Sequence, residues 1–182
     1  MLTTEYILHA VDTLVRRYGT RDPYELCDAL GIRVRRMDLK KRLKGFFFYQ
    51  SRIATIVVDS NVNATLERIL VAHELGHAVL HRETAMMIGF QEMEAFDAAT
   101  AAENEANLFS AELLLTDGEV LEQLREHSFF QTAQALSVPT ALLDYKFRAL
   151  CERGLLQETM ECRDSRYLKQ DLGAYTDEHE PS

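Results

Sequence analysis

The stretch TLERILVAHELGHAVLH, residues 65–81, decides how the rest of the chain is read. Leu66, Ile69, Leu70, Ala72, Leu75, Ala78, Val79 and Leu80 spread nearly all round a helical axis, with Asn63 or Thr65 available as its cap. A helix that is apolar on every side belongs in the middle of a core. Inside it stand His73, Glu74 and His77, the HExxH arrangement. Four-residue spacing stacks the two imidazoles about 6 Å apart, close enough to share one tetrahedral metal ion. With His73 as the zero of a helical wheel, His77 lies at about 40° and Glu74 at about 100°, so the carboxylate sits beside the metal position without having to bind it. That geometry suits a metal-activated water whose proton the carboxylate takes up and hands on.

A third ligand must come from another element. His81 is about 12 Å along the axis from His73, too far to share its metal, and is expected to be structural or an outer hydrogen-bonding partner. The metzincin extension would need Gly at 80 and His at 83, where this chain has Leu80 and Glu83. The other common zinc pattern, two His and a Glu, asks for a carboxylate on a following helix. In ENEANLFSAELLL, residues 103–115, Glu103 and Glu105 lie about 200° apart and cannot both face the metal. Glu105 shares its sector with Glu112, which reads as a solvent face, whereas Glu103 stands with Asn107, Ser110 and Leu114. Glu103 is therefore the expected ligand. Asn107, one turn on, is positioned to hydrogen-bond a ligating side chain.

Upstream, Leu2, Ile7, Val11, Leu14 and Val15 fall at helical spacing, giving a first amphipathic helix and no export signal. Asp22-Pro23 starts a second helix that Gly31 stops. Residues 32–37 alternate as a strand, and Lys40, Lys41, Arg42 and Lys44 form a solvated basic turn. Phe46 to Gln50 and Ile53 to Asp59 form a hairpin across Ser51-Arg52 in a small antiparallel sheet. Downstream, residues 82–97 are irregular, with Met86, Met87, Ile88, Phe90 and Met93 packing on the core. Helices are expected over 99–115, from a Thr116/Glu119 capping box to 126, over 131–136, and over 140–153 with Gly154 as stop. Residues 1–126 would carry the sheet and the metal site. Residues 127–156 would form a helix-turn-helix-like part packed on the same domain, and 157–182 an acidic, frayed tail.

The whole chain has 182 residues, is 47% apolar and 27% charged, and carries a formal charge of −9, a composition that excludes fibrous and disordered classes. The charge also disfavours nucleic acid as a direct partner. No stretch approaches the roughly 18 apolar residues of a membrane span. Three cysteines with no close pair, Cys27, Cys151 and Cys162, fit reduced thiols in the cytoplasm.

HELGHAVLH at 73–81 and ENEANLFSAELLL at 103–115 together resemble the ImmA/IrrE-type metallopeptidase family, whose pattern pairs HELGHxxLH with E-x-E-A-N-x-F-A-A-x-L-L-M-P. The likeness extends to the hairpin of 45–61, ending IVVDSN, and to residues 135–150. It departs at Ser110, where Ala is usual, and at Leu115-Thr116, which replace Met-Pro. The resemblance implies an α+β zincin-like domain with a helical C-terminal part, His73, His77 and Glu103 as ligands of zinc, with manganese an alternative, and Glu74 as catalytic base. It also implies site-specific cleavage of a helix-turn-helix repressor of mobile-element, stress-response or toxin-antitoxin genes. The substrate would add as a strand near Ile53 to Val58. Tyr49 and His81 are candidates to stabilise the oxyanion.

Two other readings compete. A non-proteolytic, metal-stabilised module could sequester the repressor. Residues 131–150 also have the rhythm of a DNA-reading helix-turn-helix, with Lys146 and Arg148 on its second helix, although Thr140, Ala141 and Asp144 are poor base-contacting residues.

Overall fold

The computed structural model describes residues 2–40, 43–81 and 101–156, so the Met-rich stretch after His81, Cys162 and the acidic tail lie outside the described residues. The chain divides into two compact units, Met1–Leu114 and Leu115–Ser182.

In the first unit, Thr3 caps helix α1 (Thr4–Tyr18) by accepting the Tyr6 N–H, and Ile7 and Val11 carry its buried stripe. Gly19, at φ 72°, ends it with its N–H on the Val15 carbonyl. Asp22 accepts the N–H groups of Tyr24 and Glu25 at the start of α2 (Pro23–Ala29), where the proline's missing donor costs nothing. Three strands follow, β1 (Ile32–Met37), β2 (Gly45–Gln50) and β3 (Ile53–Asp59). Ser51 and Arg52 both adopt positive φ, 51° and 65°, so the β2–β3 hairpin turns as type I′ without the Asn-Gly pair that suits it best.

The sheet is not wholly antiparallel. Its order is β1-β3-β2, with β2 antiparallel to β3 and β1 parallel to it. The hairpin commits β2 to one side of β3, and the chain entering from β1 has already crossed to the other, where it can pair only in the same direction. Val34, Ile56 and Phe47 share the inner face in this register, and Ile56 and Phe47 are fully buried. β3 is thus the central strand with both edges used, and the expected docking of a substrate strand along Ile53 to Val58 is excluded. Among the described residues the unpaired edges belong to β1 and β2.

Asn63, accepting the Leu66 N–H, caps α3 (Ala64–Leu80), which is buried along most of its length. Against it packs α4 (Ala101–Leu114). The two backbones approach closely at Gly76, where a Cβ would lie 3.1 Å from the Ala106 Cα, 3.2 Å from its carbonyl oxygen and 3.2 Å from the Phe109 Cβ. Arg21 donates to the carbonyls of Glu112 and Leu113 at the α4 C-terminus, groups left without intrahelical partners.

The second unit contains α5 (Asp117–Glu126), α6 (Phe129–Ala135) and α7 (Thr140–Glu152). Thr116/Glu119 and Ser128/Gln131 are reciprocal capping boxes, and the second starts α6 two residues earlier than the sequence reading. Expected in the first segment, α5 falls instead in this unit. Asp117 at its start receives the fully buried Lys146 ammonium of α7 at 2.7 Å and the Arg153 guanidinium. Phe129 packs edge-on against Phe147. With Lys146 buried on Asp117 and Arg148 paired to Asp144, the cations that a DNA-reading helix would present are engaged within the unit itself.

Candidate metal and catalytic site

His73 and His77 project from the middle of α3 toward the first turn of α4, with Nε2 atoms 3.2 Å apart. Glu103 meets both, its two oxygens 3.2 Å from His73 Nε2 and 3.1 Å from His77 Nε2. These three are the group of potential ligands found among the described residues, with donor atoms all within 4.8 Å of one another. Ligands about 2.0–2.1 Å from a tetrahedral ion are about 3.3 Å from each other, close to the separations of the two imidazole nitrogens and of each from a Glu103 oxygen. Asn107 Oδ1 lies 2.9 Å from His73 Nδ1. An amide oxygen only accepts, so Nδ1 carries the proton and Nε2 turns its lone pair to the site.

Glu74 is buried beside this cluster, and burial pushes its carboxyl up from the usual carboxylate range, against the pull of His73 and His77. The backbone N–H of Phe47 on β2 hydrogen-bonds it. Gly45, two residues earlier on the same face, leaves it room: a Cβ there would lie 3.3 Å from Glu74 Oε1 and 3.2 Å from the Val57 carbonyl oxygen. One helix therefore supplies two imidazoles and a carboxylate, a second helix the facing carboxylate, and a strand edge the clamp on Glu74.

The electrostatics match that assignment. Burial acts to lower the His73 pKa, but Glu103 and Glu74 outweigh it and hold the imidazole above its ordinary value. Burial acts to raise Glu103, yet hydrogen bonds to His73 and His77 hold it well below the carboxylate range. A cation is thus favoured where these groups converge.

His81 lies outside the group of potential ligands. Its Nε2 stands 3.1 Å from Glu105, its ring is 5.9 Å from that of His77, and burial with His77 nearby holds its pKa down. Glu105 is a correction. Read as part of a solvent face, it is 5% exposed and also accepts the Leu2 N–H. The wheel argument assumed one wet side for α4, whereas that helix packs on both α3 and α1. Gly45, Gly76 and the Phe47 N–H are the site residues that sequence reasoning missed. The one signal was Gly76 itself, since Gly inside a helix costs about 1 kcal/mol relative to Ala and implies a steric reason.

Residues 27–148, which contain the whole of this site, match the family model described as Peptidase M78, the IrrE N-terminal-like domain. The chain is 30% identical over 149 residues to Metallopeptidase ImmA of Bacillus subtilis (strain 168), covering 79% of this chain and 85% of that protein. The chain belongs to the ImmA/IrrE-type peptidase family. It is also 36% identical over 120 residues, 66% of this chain and 74% of the relative, to "Uncharacterized immunity region protein 2" of Bacillus phage phi105. Membership of a metallopeptidase family implies a metal ion, which the His-His-Glu donor set fits. The departures from the ImmA/IrrE pattern are accommodated locally. Ser110, fully buried, donates to the Asn107 carbonyl at 3.0 Å, and Thr116 caps α5. No helix among the described residues is long and apolar enough to cross a membrane.

Proposed function

We propose that this chain is a zinc-dependent endopeptidase of the cytoplasm that cuts a helix-turn-helix repressor at a specific site and so relieves repression. The observation that carries the catalytic part is the convergence of His73, His77 and Glu103 beside the buried Glu74. His73, His77 and Glu103 would hold the ion, and Asn107 would orient the first imidazole. When bound, zinc supplies Lewis acidity to a water and to the scissile carbonyl. Glu74 takes the water's proton and delivers it to the leaving amine, its raised pKa suiting both steps. The Phe47 N–H and the space at Gly45 fix the carboxylate while it does so. The zincin-like description of the fold belongs to this reading. The repressor as substrate is supported by the family resemblance and by the phage relative, whose name assigns it to an immunity region.

The test is incubation with candidate helix-turn-helix repressors from the same genome, comparing the parent with Glu74→Gln. The expected result is a defined pair of fragments from the parent and none from the variant, with equal zinc in both. Loss of repression by both proteins without cleavage would replace this reading with a metal-stabilised sequestering module.

A further inference from the structure

We propose that the free edge of β1 is a docking site for an extended acidic segment of a partner protein, which adds to the sheet as a fourth strand. The proposal does not rest on the peptidase reading. Among the described residues β1 pairs as a strand only with β3, so its other edge offers a row of backbone donors and acceptors. The strand carries neither a proline nor a bulge to blunt that edge, and it pairs in unbroken register over all six residues. Beside it runs a groove of about 520 Å³, lined by Tyr24, Cys27 and Asp28 of α2, by Gly31 and by residues 32–35 of β1, Arg33 and Arg35 among them. An extended chain is the shape that such an edge and groove accept.

Charge selects the occupant. In a chain of net charge −9, β1 reads Ile-Arg-Val-Arg-Arg-Met. Arg36 is tied to the buried Glu67. Arg33 and Arg35 are exposed, share the outer face, and have no ion-pair partner among the described residues. Two residues of strand span about 6.6 Å, so the arginines present positive charges at the spacing of alternate side chains on a paired strand. Acidic residues at every second position would meet them directly. A second copy of this chain is disfavoured, because edge-to-edge pairing would bring the two arginine rows against each other. The site is on the opposite edge of the sheet from β2, which clamps Glu74, so a bound segment leaves the metal site open.

The experiment is fluorescence anisotropy of the full chain with a fluorescein-labelled peptide in which glutamate alternates with valine. The parent should bind it saturably and more weakly as salt rises. The Arg33→Glu, Arg35→Glu double variant should bind at least about tenfold more weakly, while Arg33→Lys with Arg35→Lys stays within about threefold of the parent. Unchanged thermal unfolding and metal content keep the glutamate variant interpretable, and Glu74→Gln should bind as the parent does. Equal binding by parent and glutamate variant would overturn the proposal. So would equal binding of the same peptide interrupted by a central proline, or of a DNA duplex, since either would reduce the site to unspecific charge.

Discussion

Glu74 is held by a backbone rather than by a side chain, through the Phe47 N–H and the empty space at Gly45. A methyl at position 45 would sit against both the carboxylate and the Val57 carbonyl, and the carboxylate is the part able to move. Gly45→Ala should therefore keep its metal while kcat falls about 10- to 100-fold, the scale expected when a reacting group is displaced by a fraction of an ångström to an ångström. Steady-state kinetics beside metal analysis would check this, and a parallel loss of metal would mean that the residue serves the ligands instead. At this scale the sequence was informative where helical periodicity alone decides neighbours. The wheel angle puts position 103 on the face of α4 that meets the two imidazoles. Glu105 was misread, because its surroundings are built from Leu2 and His81, more than twenty residues away along the chain in either case. Gly45 was silent, since a glycine opening a strand has ordinary uses and only the tertiary approach of α3 gives it this one.

The approach of α4 to α3 is set by Gly76, which lies between the ligands and over Ala106. Gly76→Ala adds helix propensity of about 1 kcal/mol, but the new Cβ meets backbone atoms of α4 that can yield only by moving the helix. Glu103 rides on the first turn of that helix, so a shift of a few tenths of an ångström reaches the donor set. The expected outcome is a metal-free protein of nearly unchanged stability whose metal affinity falls about tenfold or more, read from competition with a chromophoric chelator and from the visible spectrum of the cobalt form. Unchanged affinity would show that the helices adjust elsewhere. The elements of the sheet were legible as strands because β1 alternates and β2 and β3 are short runs rich in aromatic and β-branched residues. Their directions were not, since alternation is the same in parallel and antiparallel pairing, and the parallel β1 follows only from the side of β3 that the hairpin occupies. The extra residues at the start of α6 are Phe129 and Phe130, which the Ser128/Gln131 box brings inside the helix.

Across the whole molecule the site couples folding to pH in two opposing ways. Without metal, the raised pKa of His73 contributes stability that is fully present below its ordinary 6.5 and is lost as pH rises through the folded value. The depressed pKa of Glu103 contributes stability present above its ordinary 4.5 and lost as pH falls toward the folded value. The metal-free protein thus gains from the pair between about pH 4.5 and 6.5. Metal binding needs the neutral imidazole and strengthens as pH rises. The drop in Tm caused by a chelator should therefore widen from about pH 6 to about pH 8, whereas a constant or shrinking drop would contradict the coupling.

The measurement that tests the central claim most directly is elemental analysis of the chain purified without chelator, beside a His73→Ala, His77→Ala double variant and Glu74→Gln. The account predicts about one zinc per chain in the parent and in Glu74→Gln, and none in the double variant. Equal metal in parent and double variant, or none in the parent after zinc is offered, would contradict it.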